Sequence, residues 1–385
     1  MSRLHLLAIN LGSATLKAAA FSVHAHEPGR GPEVVEQMRV EVPAGGEDAD
    51  ARLDALLAAL PEPARSPDFV VHRIVHGGHY HEARVLDDAL VAELEALAPL
   101  APQHQPGALA LARAAQRRWP QARHAAGFDT AFHASLAPWS RRLPIPADWD
   151  ALGLRRYGFH GLAFASALRQ VAAVAPSVGR ERAVFAHLGG GCSLCAVRAG
   201  RSIDTTMALT PLSGVPGPTR SGDLDPGLVV HLLRRHGVNA ATLERRLSRD
   251  SGLAGIAGHG NLRMLLEDRR PDARLAVEQF VMRVAQAIAA MGTAMGGIDH
   301  LVFSGGAGHR APALRALIVA QLGWLGLALD AARNAAGARL VSAPPSPAIW
   351  NIAVDEEHEL AVDALTALLH AQRTLPHPTH PEVSP

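Results

Sequence analysis

Apolar runs alternate along the chain with glycine- and proline-rich breaks, and the first run sets the pattern for the rest. Leu4 to Val23 is apolar at both ends and broken once, at Asn10-Leu11-Gly12-Ser13-Ala14-Thr15. That pattern predicts two strands joined by a tight, hydroxyl-rich turn. A second stretch, Val184 to Ala199, has the same shape: Ala8 aligns with Ala186, Gly12 with Gly190, Thr15 with Ser193, Leu16 with Leu194 and Ala18 with Ala196. One copy stands near the start of each half, which predicts an internal duplication with a polyphosphate held in a cleft between the halves. A third glycine element, Ile298 to Ile318, predicts a strand at Leu301 to Phe303, a loop at Ser304 to Gly308 and an apolar-periodic helix. Strand, glycine loop and helix commonly hold a nucleotide.

Between these elements the periodicity predicts an edge strand around Val34 to Val42, a helix at Ala51 to Leu60 and a strand at Phe69 to Val75. Helices at Asp87 to Leu97 and Pro106 to Trp119 and a strand at Arg123 to Phe128 follow. Further helices are expected at Leu162 to Ala175, Pro226 to His236, Ala241 to Arg249, Ala273 to Met295 and Glu356 to His370. The order is that of an α/β protein. Composition turns to proline and tryptophan between Ser135 and Trp149, where a domain boundary is expected. Thr205 to Pro226 has neither period and is rich in Gly and Pro; a loop of that length inside a compact domain is usually functional.

Composition narrows the function classes. Lys and Arg number 37 against 36 Asp and Glu, aromatics make up 4%, and no basic stripe is interleaved with aromatics, which argues against nucleic acid. The longest apolar stretch, Ala316 to Leu329, is interrupted by Gln321 and falls short of a membrane span, and no secretory signal is evident, so the expectation is a cytoplasmic protein away from membranes. Cys192 and Cys195 form a lone CxxC in a strand context and read as packing residues. His76, His79 and His81 lack carboxylates or cysteines at ligand spacing.

Candidate chemistry sits at the breaks. Ser13, Thr15 and Lys17 would direct hydroxyls and an ammonium towards one phosphate. Arg73 lies inside an apolar strand, where either a structural carboxylate or a bound substrate would satisfy it. Asp129 follows a strand's carboxyl end, as a functional carboxylate or as a turn cap. Arg155 to Gly161 is dense in anion-binding groups, and the long loop carries Arg220, Asp223 and Asp225.

Six motifs in sequence order, Asn10 to Lys17, His72 to Gly78, Phe128 to His133, Tyr157 to Gly161, His187 to Gly189 and Thr219 to Pro226, jointly resemble the acetate/propionate kinase family over nearly the whole chain. The resemblance implies a duplicated actin/hexokinase/Hsp70-like (ribonuclease H-like) two-domain fold with an interdomain cleft. The implied domains are 1–140 and 141–357, with the last helix, about 358–373, packing back on the first and a disordered tail at 374–385. It implies a homodimer that transfers the γ-phosphoryl of ATP directly onto a short carboxylate, acetate foremost, giving an acyl phosphate and ADP. The alternatives are a kinase for propionate or another small acid, and a nucleotide-binding member without turnover. A carboxylate is already ionised at neutral pH, so no general base is required, whereas a sugar kinase would need an Asp such as Asp129.

Carried over by position, Arg73 and Arg220 would hold the carboxylate and the phosphoryl in flight, and His160 would hydrogen-bond its oxygens. Asn10, Ser13, Thr15 and Lys17 would line the phosphate path from the first half, His187 with Gly189, Gly190 and Gly191 from the second. Asp129, Asn10 and a glutamate, Glu356 or else Glu357, would arrange Mg²⁺ (or Mn²⁺), largely through water. Val75, Phe159 and Pro211 would wall the acyl methyl, with His104 orienting neighbours. Gly306, Ala307 and Gly308 and the Asn261-Leu262-Arg263 turn would bracket the adenosine. Several positions depart from the family: Gly190 replaces an Asn, His309-Arg310 replaces Glu-Asn, Asn261-Leu262 replaces Asp-Phe, and Gln103 replaces an apolar pocket residue. Leu162-Ala163-Phe164 stands for Thr-Ser-His.

Overall fold

The computed structural model describes residues 4–12, 15–24, 33–44 and 48–373. Ser13 and the tail expected at 374–385 lie outside them. The backbone forms two compact units: Met1–Ala98, Pro102–Phe128 and Glu357–Pro385 make the first, Pro99–Ala101 and Asp129–Glu356 the second. The division falls at Phe128, ahead of the break expected at 140.

The first unit is built on a sheet of β1 (Leu4–Leu11), β2 (Thr15–His24), β3 (Glu33–Pro43), β4 (Phe69–Ile74), β5 (Arg84–Val85) and β6 (Arg123–Phe128), in the order β3-β2-β1-β4-β6-β5. β1, β2 and β3 form an antiparallel meander; β4 pairs parallel with β1 and β6 parallel with β4. The hairpin forms as its sequence predicts, with Asn10 opposite Lys17 and Gly12 N–H donating to Thr15 O at 2.8 Å. On one face Leu7, Ile9, Leu16, Ala18 and Val70 pack against Leu53, Leu56 and Leu57 of the helix Ala49–Ala59 and Leu111, Ala114 and Ala115 of the helix Gln105–Arg118. Those positions recur at helical spacing, which is why the two helices dry one face of the sheet.

The second unit's sheet comprises β7 (Arg182–Leu188), β8 (Cys192–Arg198), β9 (Arg201–Thr205), β10 (His300–Ser304) and β11 (Ala348–Asn351), in the order β11-β10-β7-β8-β9. Here too a three-stranded antiparallel meander is followed by parallel strands, β10 on β7 and β11 on β10. Two-residue alternation splits β7: Val184 and Ala186 face the 25-residue helix Pro271–Met295, and Ala183 and Phe185 face Phe164, Ala167 and Val171 of the helix Gly161–Ala172. The shared strand plan is the duplication read from the two hairpins.

Three features differ from the sequence reading. Ser304 to Gly308 is not an open loop: Ser304 ends β10, and Gly305–Arg310 is a short helix entered through Gly305 at φ +78°. β5, β9 and β11, of 2, 5 and 4 residues, carry too little pattern to stand out. The helices Gly252–Ala257 and Leu262–Glu267 are a turn or two each. The last helix, Glu356–Arg373, belongs almost wholly to the first unit. Thr206 to Asp225 carries no helix or strand. Among the described residues no helix is long and apolar enough to cross a membrane.

Candidate functional site

In the first unit the functional side chains gather at the ends of β1 and β4. Asn10 is buried and acts as a hub: Arg73 donates to its Oδ1 at 3.0 Å, and its Nδ2 donates to Glu357 Oε1 at 2.6 Å. Arg39 of β3 donates to the other oxygen of Glu357, which is 3% exposed, and also to Glu36. Asn10 is thus one partner of the strand arginine, and Glu357 brings a carboxylate to the cluster. Glu357, the second of the two glutamates weighed for the metal, is thus bonded to Asn10, and Glu356 precedes it at the start of the same helix. Thr15 and Lys17 lie on β2 beside this hub.

Val75 is buried just past β4, and the next residue is stapled by a reciprocal pair: His76 N–H donates to Gln105 Oε1 at 3.0 Å and Gln105 Nε2 donates to His76 O at 2.9 Å. The fully buried Gln105 thereby fixes the start of the helix Gln105–Arg118, at whose N-cap His104 stands. Gln103, expected in the acyl pocket, is exposed.

The second unit holds a denser set. His160 sits at φ 60°, the left-handed region that costs a non-glycine residue roughly 1 kcal/mol, at the N-cap of the helix Gly161–Ala172. Its Nδ1 lies 2.8 Å from Ser193 Oγ, and its ring centroid lies 4.8 Å from that of His187, whose Nδ1 is 3.2 Å from Ser304 Oγ. Gly191 shows where these groups point. A Cβ there would stand 2.9 Å from His160 Nε2 and 3.0 Å from a guanidinium nitrogen of Arg220. Gly189 is less constrained, its Cβ position lying in ordinary contact 3.5 Å from Gly306 N and 3.6 Å from His187 Nε2. One imidazolium-capable ring, one guanidinium and a strand turn without side chains therefore share a single spot. Gly190 has open space around it.

The loop that carries Arg220 is tied internally. Gly217 N–H donates to Arg220 O at 2.9 Å, Gly214 N–H to Asp223 Oδ1 at 2.8 Å, and Arg220 itself to Pro211 O at 3.4 Å. Asp223 is thus a loop tie, and Asp225 caps the helix Pro226–Arg235. Phe159 is buried, and its carbonyl lies 3.0 Å from Nε2 of His133, whose Nδ1 is 2.9 Å from Ser202 Oγ. Burial pushes the His133 imidazole down to about 4, so it stays neutral and anchors the Phe159–His160 backbone. Asp129 is buried, and its carbonyl accepts from Gly161 N–H at 2.9 Å.

Asn261 caps the helix Leu262–Glu267, accepting from Met264 N–H at 3.3 Å, while Leu262 belongs to the apolar core and Arg263 is exposed. Gly306, Ala307 and Gly308 lie on the short helix Gly305–Arg310. Burial pushes the Cys192 and Cys195 thiols up to about 11 and 12, as core residues.

Residue patterns alone passed over Glu357's partner Arg39, the serines behind His160 and His187, Gln105, and Arg315. The signal for Arg315 was present: it lies on the same helical face as Leu314, Ile318 and Val319, all buried. For a metal, the donor set beside Asn10 is oxygen-only with a buried carboxylate, which fits a hard, hydrated cation better than a thiolate- or imidazole-loving one. Among the described residues no three His, Cys, Asp or Glu side chains cluster as a cage.

Comparison with known proteins gives these observations a context. The chain matches the model of the Acetokinase family over residues 5–362. It is 38% identical to the acetate kinase of Leifsonia xyli subsp. xyli over 395 aligned positions, covering 94% of this chain and 98% of that one. Among solved structures it resembles a propionate kinase from Francisella tularensis subsp. tularensis (TM-score 0.83, 28% identity, 94% and 99% coverage). It also resembles the Porphyromonas gingivalis acetate kinase (TM-score 0.80, 28% identity, 95% and 100% coverage).

Proposed function

The chain belongs to the Acetokinase family, an ATP-dependent carboxylate kinase of the actin/hexokinase-like α/β fold, and from that premise we propose how its residues divide the work. The observation that carries the proposal is the approach of His160 Nε2 and the Arg220 guanidinium to one point beside Gly191. Phosphoryl transfer asks for positioned positive charge and hydrogen-bond donors more than for covalent chemistry. Arg220 neutralises the equatorial oxygens of the phosphoryl in flight. Ser193 donates to His160 Nδ1, so that Nε2 carries a proton and donates to the same group. His187 and the side-chain-free turn Gly189–Gly191 let the phosphate chain approach the backbone.

Arg73, oriented by Asn10, holds the acid's carboxylate, and Val75, Phe159 and Pro211 bound its short alkyl group. The attacking carboxylate oxygen is already anionic, so Asp129 is not needed as a base and acts with Asn10 and Glu357 towards Mg²⁺, or Mn²⁺. When bound, the ion neutralises polyphosphate charge. Thr15, Lys17 and, outside the described residues, Ser13 complete the phosphate contacts, and Asn261–Arg263 with Gly306–Gly308 take the adenosine. Acetate is the proposed acid, in the cytoplasm. The helix Pro226–Arg235 has no buried residue and exposes Leu228, Val230 and Leu233, apolar surface that supports a homodimer.

The test is hydroxylamine trapping of the acyl phosphate with Mg²⁺ and ATP over acetate, propionate, butyrate and glycolate, beside Arg220→Ala and Arg73→Ala. Turnover in the wild type, lost by two or more orders of magnitude in each variant, is expected. Retained turnover in both variants would remove the role assignment.

A further inference from the structure

Arg315 is 0% exposed, and its hydrogen-bond partners among the described residues are all neutral. The guanidinium donates to Asn334 Oδ1 at 2.8 Å, Asn334 O at 3.1 Å, Gly308 O at 2.9 Å, His309 O at 2.6 Å and Asn351 Oδ1 at 3.4 Å. Two of these acceptors, Gly308 O and His309 O, lie in the last turn of the short helix Gly305–Arg310, so the buried cation holds that helix's end to β11 and to the helix Ala331–Ala335.

The consequence reaches a side chain. A guanidinium only donates, so Asn351 turns its oxygen towards Arg315, and its Nδ2 donates to Gly337 O at 3.3 Å, which fixes the same orientation. That Asn351 oxygen also lies 2.9 Å from His309 Nδ1. An acceptor there requires Nδ1 to carry the proton, which in the neutral ring leaves Nε2 with its lone pair. His309 is half-buried, and its Nε2 has no hydrogen-bond partner among the described residues.

We propose that Arg315, acting through Asn351, locks His309 in the Nδ1–H tautomer, so that the helix Gly305–Arg310 presents an imidazole acceptor to an O–H or N–H donor of the adenosine. This rests on the reading above that the helix faces the nucleoside. His309 is a specificity-determining residue in a position where the family carries a glutamate, and it keeps an acceptor there without the charge. Arg315 and Asn351 are positioning residues.

Nitrogen NMR of histidine-labelled protein, with His309 assigned by its loss in His309→Ala, reads the tautomer directly. Nδ1–H is expected in the wild type, and an Nε2–H ring would overturn the proposal. Displacement of a fluorescent ADP analogue then reads nucleotide affinity without turnover. His309→Ala is expected to weaken ADP about tenfold, ~1.4 kcal/mol or one hydrogen bond, with the acid's KM unchanged, and His309→Gln to recover most of it. Inosine, 2′-deoxy and 3′-deoxy analogues locate the donor: one of them should be weaker on the wild type and no weaker than ADP on His309→Ala. Equal ADP affinity in wild type and His309→Ala overturns the proposal. A wild type that binds ADP yet phosphorylates no acid refutes the kinase reading while leaving the His309 result standing.

Discussion

At the scale of single residues, the second unit's site is defined by what is missing from Gly191 and by what stands behind His160. An alanine methyl at 191 would press on both His160 Nε2 and Arg220, the groups proposed to reach the same phosphoryl oxygens. Gly191→Ala should therefore lower kcat by roughly two orders of magnitude, the scale of an ångström-sized misplacement, with little change in melting temperature. Steady-state kinetics beside a thermal melt would separate these effects. Ser193→Ala should act more mildly, about tenfold on kcat with the acid's KM held, because it frees the ring's tautomer without removing the ring. Gly191 was visible in the sequence as one of three consecutive glycines, whereas Ser193 was visible only as the counterpart of Thr15 in the second hairpin. Its use depends on strand register, His187 opposite Ser193, and a register is a tertiary fact.

At the scale of elements, titratable groups buried in the first unit set opposite pH limits. His72 on β4 and His124 on β6 stack at 5.6 Å, with His72 Nε2 lying 3.2 Å from His124 Nδ1. Burial first, then the neighbouring ring, pushes His72 down to about 3. A histidine whose folded value is depressed contributes stability above its unfolded value near 6.5, and that stability is lost as pH falls towards 3. His72→Phe should flatten the acid limb of a melting-temperature profile between those values. Asp363, in the last helix, is pushed the other way, up to about 6, by burial and then by Glu359 and Glu82. A carboxyl raised in the fold costs nothing below its unfolded value near 3.8 and destabilises increasingly as pH rises through 6. Asp363→Asn should stabilise by about 2 kcal/mol at pH 7.5, allowing for partial solvent screening, and not at all at pH 3.5. Both strands and the last helix were legible from apolar periodicity. The pairing of His72 with His124 was not, because nothing local in FVVHRI or RHAAGF says that β4 and β6 are neighbours.

At the scale of the whole molecule, the chain leaves its first unit at Phe128 and comes back at Glu357, so the first unit is not a contiguous piece of sequence. The duplicated strand plan was readable from two hairpins, and the return of the last helix was implied by resemblance rather than by any pattern in the helix itself. Its physical basis is now explicit. Leu360, Ala361, Ala364, Leu365 and Leu368 are all 0% exposed, and Gly127 of β6 lies so close to Leu360 that a Cβ there would stand 2.5 Å from Leu360 Cδ1. Three leucines at roughly 2 kcal/mol each amount to much of the 5–15 kcal/mol that usually stabilises a domain. The same helix carries Glu357, bonded to Asn10 and Arg39, in its first turn, so one segment supplies both core and proposed site. A chain stopped after Asp355 should therefore lose amide-exchange protection throughout β1, β4 and β6 while keeping it in β7, β8 and β10, and should show no phosphoryl transfer. Protection retained in β1 and β4 of that shortened chain would mean that the first unit's core closes without its returning helix, and that the helix serves only to deliver Glu357.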